Sequence, residues 1–235
     1  MKKFKIAYCA GHHLGNSKGI PRSMGLGEIR EWTLNDRVAR YFAQAAEEYE
    51  VELLRTDDPT GETLIDIPER CAAANGWGAD LYLDLHHNGG INGGTGGGMV
   101  VFSRHGDEES SRFAREVYEA VIAAGGLRGN RCDYLIEKNW QTMKESRMPA
   151  LLIEYGFMDS KTDAPIIVTE EFARMAGYAT MAGIAKAAGL EKKKQEKTVY
   201  RVQVGAYLVR ENAEAMLKKL EKAGFPGFIV QGVME

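Results

Sequence analysis

Four polar residues carry the chemistry this chain could perform: His12, Glu31, His86 and Glu154. Two histidines and one carboxylate form a familiar catalytic zinc set, in which three protein ligands leave the fourth tetrahedral position open to water. A second glutamate near that water would act as general base and then hand the proton to a leaving group. Each residue alone is a weak signal, since a Gly-His pair is more often a turn and a helix glutamate more often solvated or capping. Glu154 is the most informative of the four. It closes the apolar run Pro149-Ala150-Leu151-Leu152-Ile153, where a buried charge without a partner is costly.

The elements that must position these residues can be read from periodicity. Leu81, Leu83 and Leu85 alternate with Tyr82, Asp84 and His86, which predicts a strand ending in His86-His87-Asn88. Read alone, its two histidines are interchangeable. Phe4 to Ala10 reads as a first buried strand, delivering Gly11-His12-His13 at its end. From Glu28 to Glu48 the pattern is helical, with Leu34, Val38, Phe42 and Ala45 on one face and Glu31 in the first turn. Further strands are expected at Val51 to Leu54, Met99 to Phe102 and 149–154. Helices are expected at Ile67 to Asn75, 107–124 and Glu170 to Ala188. This alternation predicts an α/β fold, a mainly parallel twisted sheet flanked by helices on both faces. In such a sheet the carboxyl ends of strands and the amino ends of helices share one edge, so all four residues can converge there.

Other features narrow the reading. The glycine-rich run 89–98 lacks the Gly-Lys-Ser/Thr ending of a phosphate loop, which argues against nucleotide binding. Cys9 lies within a strand and reads as a small buried apolar residue. Residues 133–147 read as irregular and polar, with Trp140 and Met143 available to line a site. The 235 residues suffice for one large domain, or one of ordinary size with an appendage, and 44% hydrophobic content supports a real core. A net charge of -3 gives no electrostatic footprint for nucleic acid. Three scattered cysteines make no disulfide framework and fit synthesis in a reducing compartment. No apolar run reaches membrane-spanning length, and the start, interrupted by Lys5, does not read as a signal peptide.

Composition changes at residues 190–197, a charged linker containing Glu191-Lys192-Lys193-Lys194-Gln195-Glu196-Lys197. The expected organisation is therefore a catalytic domain over 1–189, this linker, and a small βαβ unit over 198–235. That unit has strands at Val199 to Val204 and Phe228 to Val230 around a helix at Glu211 to Ala223. About forty residues bury too little to fold alone. The unit is expected to pack on the main domain or pair with a second copy.

The ordered motifs Ala-Gly-His-His at 10–13, Glu-Trp-Thr-Leu-Asn at 31–35, Asp-Leu-His-His-Asn at 84–88 and Pro-Ala-Leu-Leu-Ile-Glu-Tyr-Gly-Phe at 149–157 resemble the zinc-dependent N-acetylmuramoyl-L-alanine amidases of the third amidase family. Arg55, Arg70 with Ala74-Asn75, and Gly94-Thr95-Gly96 are supporting matches, and the likeness covers about residues 4–188. It implies one Zn2+ per chain held by His12, Glu31 and His86, with Glu154 as the catalytic glutamate. Glu31 is preferred to Glu28 for its spacing to Asn35, and His86 to His87 for strand phase and for Asn88 two places on. Asn88, Asn35, Arg70 and His87 are carried as substrate-site candidates, His87 at the rim of the cleft. The family's first motif usually reads Asp-Pro-Gly-His-Gly. Here Cys9 and Ala10 replace the Asp and Pro, and His13 the last glycine, which puts the second-sphere support of the metal histidine in question.

The tail from Tyr200 to Tyr207, continuing through Asn212-Ala213 to Gly224-Phe225, is similar to the first half of a SPOR peptidoglycan-binding domain. Two such halves from two chains would complete a four-stranded sheet, so a homodimer through this unit is part of the expectation. The resemblance implies a hydrolase cutting the amide between N-acetylmuramic acid and L-alanine of bacterial peptidoglycan, with no nucleic-acid partner and no membrane insertion. With no signal peptide read, the expected setting is a phage or prophage endolysin, cytoplasmic until released to the wall. A zinc peptidase acting on the stem peptide and a non-catalytic wall-binding protein are the alternatives.

Overall fold

The computed structural model describes residues 3–193 and 202–232. The chain divides into two compact units, Met1–Lys193 and Lys194–Glu235. The first unit is built from strands β1 (Phe4–Ala10), β2 (Val51–Arg55), β3 (Leu81–Asn88), β4 (Val100–Arg104), β5 (Leu135–Lys138) and β6 (Ala150–Phe157). Its helices are α1 (Glu31–Ala46), α2 (Ile67–Trp77), α3 (Glu108–Ala123), α4 (Gln141–Glu145), α5 (Ala164–Ile167) and α6 (Glu170–Ala188). Local chemistry sets several of these boundaries. Asp66 and Glu69 form a reciprocal capping box at the start of α2, and Gly78 ends it in a left-handed conformation at φ 71°. Asp107 and Thr169 cap α3 and α6 through backbone N–H groups of their first turns.

The six strands form one sheet in the order β2-β1-β3-β6-β4-β5. The β2, β1, β3 and β6 strands run parallel, whereas β4 is antiparallel to β6 and β5 follows β4 in direction. Connection length explains the reversal. The glycine-rich loop after β3 is too short for a parallel crossover, so the chain must turn back, while α3 gives β4 to β5 the length a crossover needs. The expected α/β sheet flanked on both faces is present, with this reversed pair at one edge.

Period-two alternation splits the core cleanly. Ile6, Tyr8, Ala10, Leu81, Leu83, Leu85, Ile153 and Tyr155 face α1, α3 and α6. Ala7, Cys9, Tyr82, Ala150 and Leu152 face the other way, with Cys71 and Ala74 of α2 and Met143 of α4. Helix α6 lies against both α1 and α3, and glycines permit the approach: a Cβ on Gly177 would meet the Phe42 amide at 2.6 Å, and one on Gly183 the Val117 Cα at 2.6 Å.

Residues 133–147 differ from their expected irregularity. They supply β5 and α4, with Met143 fully buried in the second core and Trp140 tilted against Phe102 at 4.3 Å between ring centroids. Arg104 of β4 fixes this segment by donating to the Met143 and Met148 carbonyls at 2.9 and 2.8 Å.

In the second unit the expected helix is present as α7 (Arg210–Lys222), ended by Gly224 at φ 87°. The flanking strands are not: neither 202–204 nor 228–230 is a strand, and 199–201 lie outside the described residues. A strand exists only with a neighbour to share its hydrogen-bond ladder. Among the described residues these short stretches have none, and Val202, Val204, Phe228 and Val230 stay exposed. Among the described residues no helix is long and apolar enough to cross a membrane.

Candidate metal centre

The four candidate residues meet at one edge of the sheet. His12 follows β1 in a left-handed conformation at φ 66°, a strained setting for a non-glycine residue. Glu31 opens α1, its backbone N–H bonded to the Lys18 carbonyl at 2.8 Å. His86 lies near the end of β3, and Glu154 is its direct cross-strand partner on β6. His12 Nε2 is 3.3 Å from Glu31 Oε2, and His86 Nδ1 is 2.9 Å from Glu31 Oε1. The two imidazole rings meet edge to face at 4.9 Å. Among the described residues, His12, Glu31 and His86 are the group whose ligand atoms all lie within 4.8 Å of one another.

The electrostatics follow from burial and pairing. Burial opposes the charge of Glu31, but hydrogen bonds from His12 and His86 outweigh it and hold the carboxyl well below its usual range. Burial likewise opposes a charged His86, yet Asp84 and Glu31 on its two sides raise its pKa well above the ordinary value. Glu154 behaves in the opposite way. Burial pushes its pKa up to about 7, with the charges of Glu31 and Asp84 adding to the rise and His86 opposing it. Its Oε2 is enclosed and has no hydrogen-bond partner among the described residues. A buried carboxylate oxygen left without a partner, on the residue paired with His86, is free to accept a bond from a reactant.

A zinc ion fits this donor set. Two imidazole nitrogens and one carboxylate are ligand types zinc takes at catalytic sites, and the three atoms already converge. Gly11 makes the close packing possible, since a Cβ there would fall 2.0 Å from His86 Cε1. Gly11→Ala is therefore expected to push the His86 ring out of place. Zinc affinity should drop at least tenfold while the far-ultraviolet circular dichroism stays native, and an unchanged zinc titration would refute the cradle.

The two histidines of β3 diverge, as strand phase requires. His86 shares a face with Asp84 and Glu154. His87 points to the other face, toward α1, where its Nδ1 bonds to Asn35 Oδ1 at 2.8 Å and its ring lies 5.7 Å from Tyr155. Burial, with the neighbouring His86 charge, depresses its pKa to about 3 against the opposing pull of Glu31. His87 is 2% exposed, so its expected place at the cleft rim is corrected to an interior one. Asn35 is likewise fully buried and donates to the Gly11 carbonyl at 3.1 Å.

Arg70 also departs from its substrate-site expectation. Its guanidinium is spent on backbone carbonyls of Ile65, Ala10 and His12 at 2.7, 3.2 and 2.8 Å. The last two hold the chain on both sides of Gly11, including the strained His12. Asn88 alone of the four substrate-site candidates keeps partial exposure, its Oδ1 accepting from the Gly89 amide at 2.8 Å. The glycine-rich loop fills its own anion-binding nest: the amides of Gly90, Ile91 and Asn92 converge on the Asp159 carboxylate at 2.9, 3.1 and 2.7 Å. Cys9 is buried with a free thiol, as expected.

Comparison with known proteins bears on the family and the fold. Residues 6–186 match the family described as N-acetylmuramoyl-L-alanine amidase, and residues 169–231 match the SPOR domain. The two matches overlap in α6, which the structure places in the first unit. The sporulation-specific N-acetylmuramoyl-L-alanine amidase of Bacillus subtilis is 33% identical over 221 residues, covering 92% of this chain and 82% of that protein. An N-acetylmuramoyl-L-alanine amidase of Bacillus licheniformis is 29% identical over 182 residues, covering 77% of this chain and 66% of that one. Among solved structures, an N-acetylmuramoyl-L-alanine amidase from Clostridium difficile 630 superposes with a TM-score of 0.71 at 20% identity, covering 80% of this chain and 98% of that chain. At that identity the likeness concerns the fold.

Proposed function

This chain belongs to the N-acetylmuramoyl-L-alanine amidase family, and from that premise we propose that it hydrolyses the bond between N-acetylmuramic acid and L-alanine with a zinc ion held by His12, Glu31 and His86. The observation that carries this reading is the buried Glu154 Oε2, without a hydrogen-bond partner among the described residues, on the strand position paired with His86. When bound, the ion supplies Lewis acidity toward the scissile carbonyl and makes water more acidic. The protein's own part is proton transfer and positioning. Glu154, with a pKa near neutrality in the metal-free site, takes the proton from the attacking water at a carboxylate oxygen. The same carboxyl then delivers that proton to the departing alanine nitrogen. The carboxylate of Glu31 offsets cationic charge in the cluster, while Arg70 and Asn35 hold the backbone that presents His12.

The SPOR match at the C-terminal end supports a second wall contact, through which the chain stays close to its polymeric substrate. The relatives named above are a sporulation-specific amidase and another bacterial amidase, so the proposal is a cell-wall hydrolase in general and does not extend to a phage lysin.

Digestion of purified peptidoglycan with and without a chelator tests the assignment. New L-alanine amino termini, identified by mass spectrometry and lost on chelation, are expected. A different new terminus would select the stem-peptide peptidase, and none a binding protein.

A further inference from the structure

We propose that Asp84 is the positioning carboxylate of the metal centre, fixing which nitrogen of His86 is offered to the ion, and that Thr142 of α4 holds it there. The proposal rests on the zinc reading above and concerns residues outside the ligand set. Asp84 is 3% exposed and lies two positions before His86 on β3, hence on the same face. Its Oδ1 accepts from His86 Nε2 at 3.0 Å. The ring stands between two carboxylates: Asp84 takes Nε2, and Nδ1 lies 2.9 Å from Glu31 Oε1, so Nδ1 is the nitrogen turned toward the cluster. A histidine that ligates a metal through one nitrogen while its other N–H is bound by a carboxylate is held in tautomer and rotation, and is the more basic ligand for it.

Asp84 is itself held from two sides. Its Oδ2 accepts from the Thr142 hydroxyl at 3.0 Å, and the Cys9 thiol donates to Oδ1 at 3.1 Å. Cys9 is the cross-strand neighbour of Asp84 in the β1–β3 register. The family resemblance placed Cys9 where an aspartate is usual, leaving the support of the histidine in question. In this chain a carboxylate stands directly across the strand pair from that position. The segment 133–147 thereby gains a definite task. Its helix α4 reaches behind the metal centre through Thr142, and Arg104 clamps its far end by bonding the Met143 and Met148 carbonyls.

Three variants of the full chain test this: Asp84→Asn, which keeps an acceptor but loses the charge, Asp84→Ala, and Thr142→Val. Zinc affinity is read by competition with a chromophoric chelator, and the protonated nitrogen of His86 by long-range proton–nitrogen NMR of the zinc-loaded protein. Zinc binding should weaken about 10- to 100-fold in Asp84→Ala. It should weaken less in Asp84→Asn and a few-fold in Thr142→Val. The wild-type ring should show its proton at Nε2, and Asp84→Ala should lose that preference. If Asp84→Ala does not fold, Asp84→Asn and Thr142→Val carry the same readings. Folded variants with wild-type zinc affinity and an unchanged tautomer would overturn the proposal, even if their stability fell. Wild-type protein that binds no zinc would instead overturn the zinc reading on which it stands.

Discussion

Glu154→Gln is expected to lower peptidoglycan hydrolysis by roughly 100- to 10,000-fold, the range for loss of a general acid–base group, with zinc binding retained. Glutamine has nearly the shape of glutamate, so the cleft keeps its form but no longer carries a proton from water to the leaving nitrogen. Retention of near-native lytic activity would remove Glu154 from the reaction. The same substitution has a second consequence, in stability. The Glu154 pKa rises from 4.5 to about 7 on folding, so the folded chain holds that proton more tightly than the unfolded one. Such a group contributes stability that is complete below pH 4.5 and is lost as pH rises through about 7. Glutamine never ionises and avoids the loss. Metal-free Glu154→Gln should therefore be more stable than metal-free wild type at pH 8, by at most about 3 kcal/mol, and the gap should close near pH 5. Urea midpoints at both pH values, in chelator, decide this. A gap of equal size at both would show that burial of the charge is not its origin.

His86→Ala is expected to lose both zinc and activity. The wild-type chain should melt at a higher temperature when zinc is added, since an ion that binds only the folded state stabilises it by about 4 kcal/mol at a thousand times its dissociation constant. The variant should show no such shift. It should also be less stable without metal, because the ring lies between Glu31 and Asp84 and its removal leaves two buried carboxylates without that partner. In the metal-free protein those carboxylates raise the His86 pKa well above normal. Its contribution to stability is thus present below the ordinary histidine pKa and persists until pH passes the higher folded value. A zinc-induced rise in melting temperature that survives His86→Ala would place the ion elsewhere.

Much of this arrangement was legible in the sequence, and the reasons differ by residue. The β1, β3 and β6 strands and the α1 and α6 helices each bury a continuous stripe, so their periods were strong and their ends fell within a few residues of expectation. The same period put His86 and His87 on opposite faces. What stayed hidden was fixed by contacts between distant segments. Asp84 alternates in phase with His86, which was visible, but its role depends on Thr142 and Cys9 arriving from other elements. Arg70, Asn35 and His87 looked like polar groups available to substrate. Nothing local says that their partners are the carbonyls of Ala10, Gly11 and His12 and one another. The β5 strand was missed because its ladder with β4 is short and its outward residues, Glu137 and Lys138, are polar. At the C-terminal end the error ran the other way: alternation suggested strands at 202–204 and 228–230, where no partner among the described residues supplies a ladder.

The place of β6 in the sheet sets an order of assembly. His12, just past β1, Glu31 of α1 and His86 of β3 all precede residue 87, and these elements are mutual neighbours. Glu154 comes much later in the chain, on a strand that must slide into the slot between β3 and β4. A growing chain can therefore gather the three residues proposed to hold the ion well before it owns Glu154, the proposed proton carrier. Pairings of such long sequence separation close late and slowly. Wall-cutting activity thus belongs only to the completed sheet, and a chain interrupted before β6 is at most a metal-binding fragment with no means of hydrolysis.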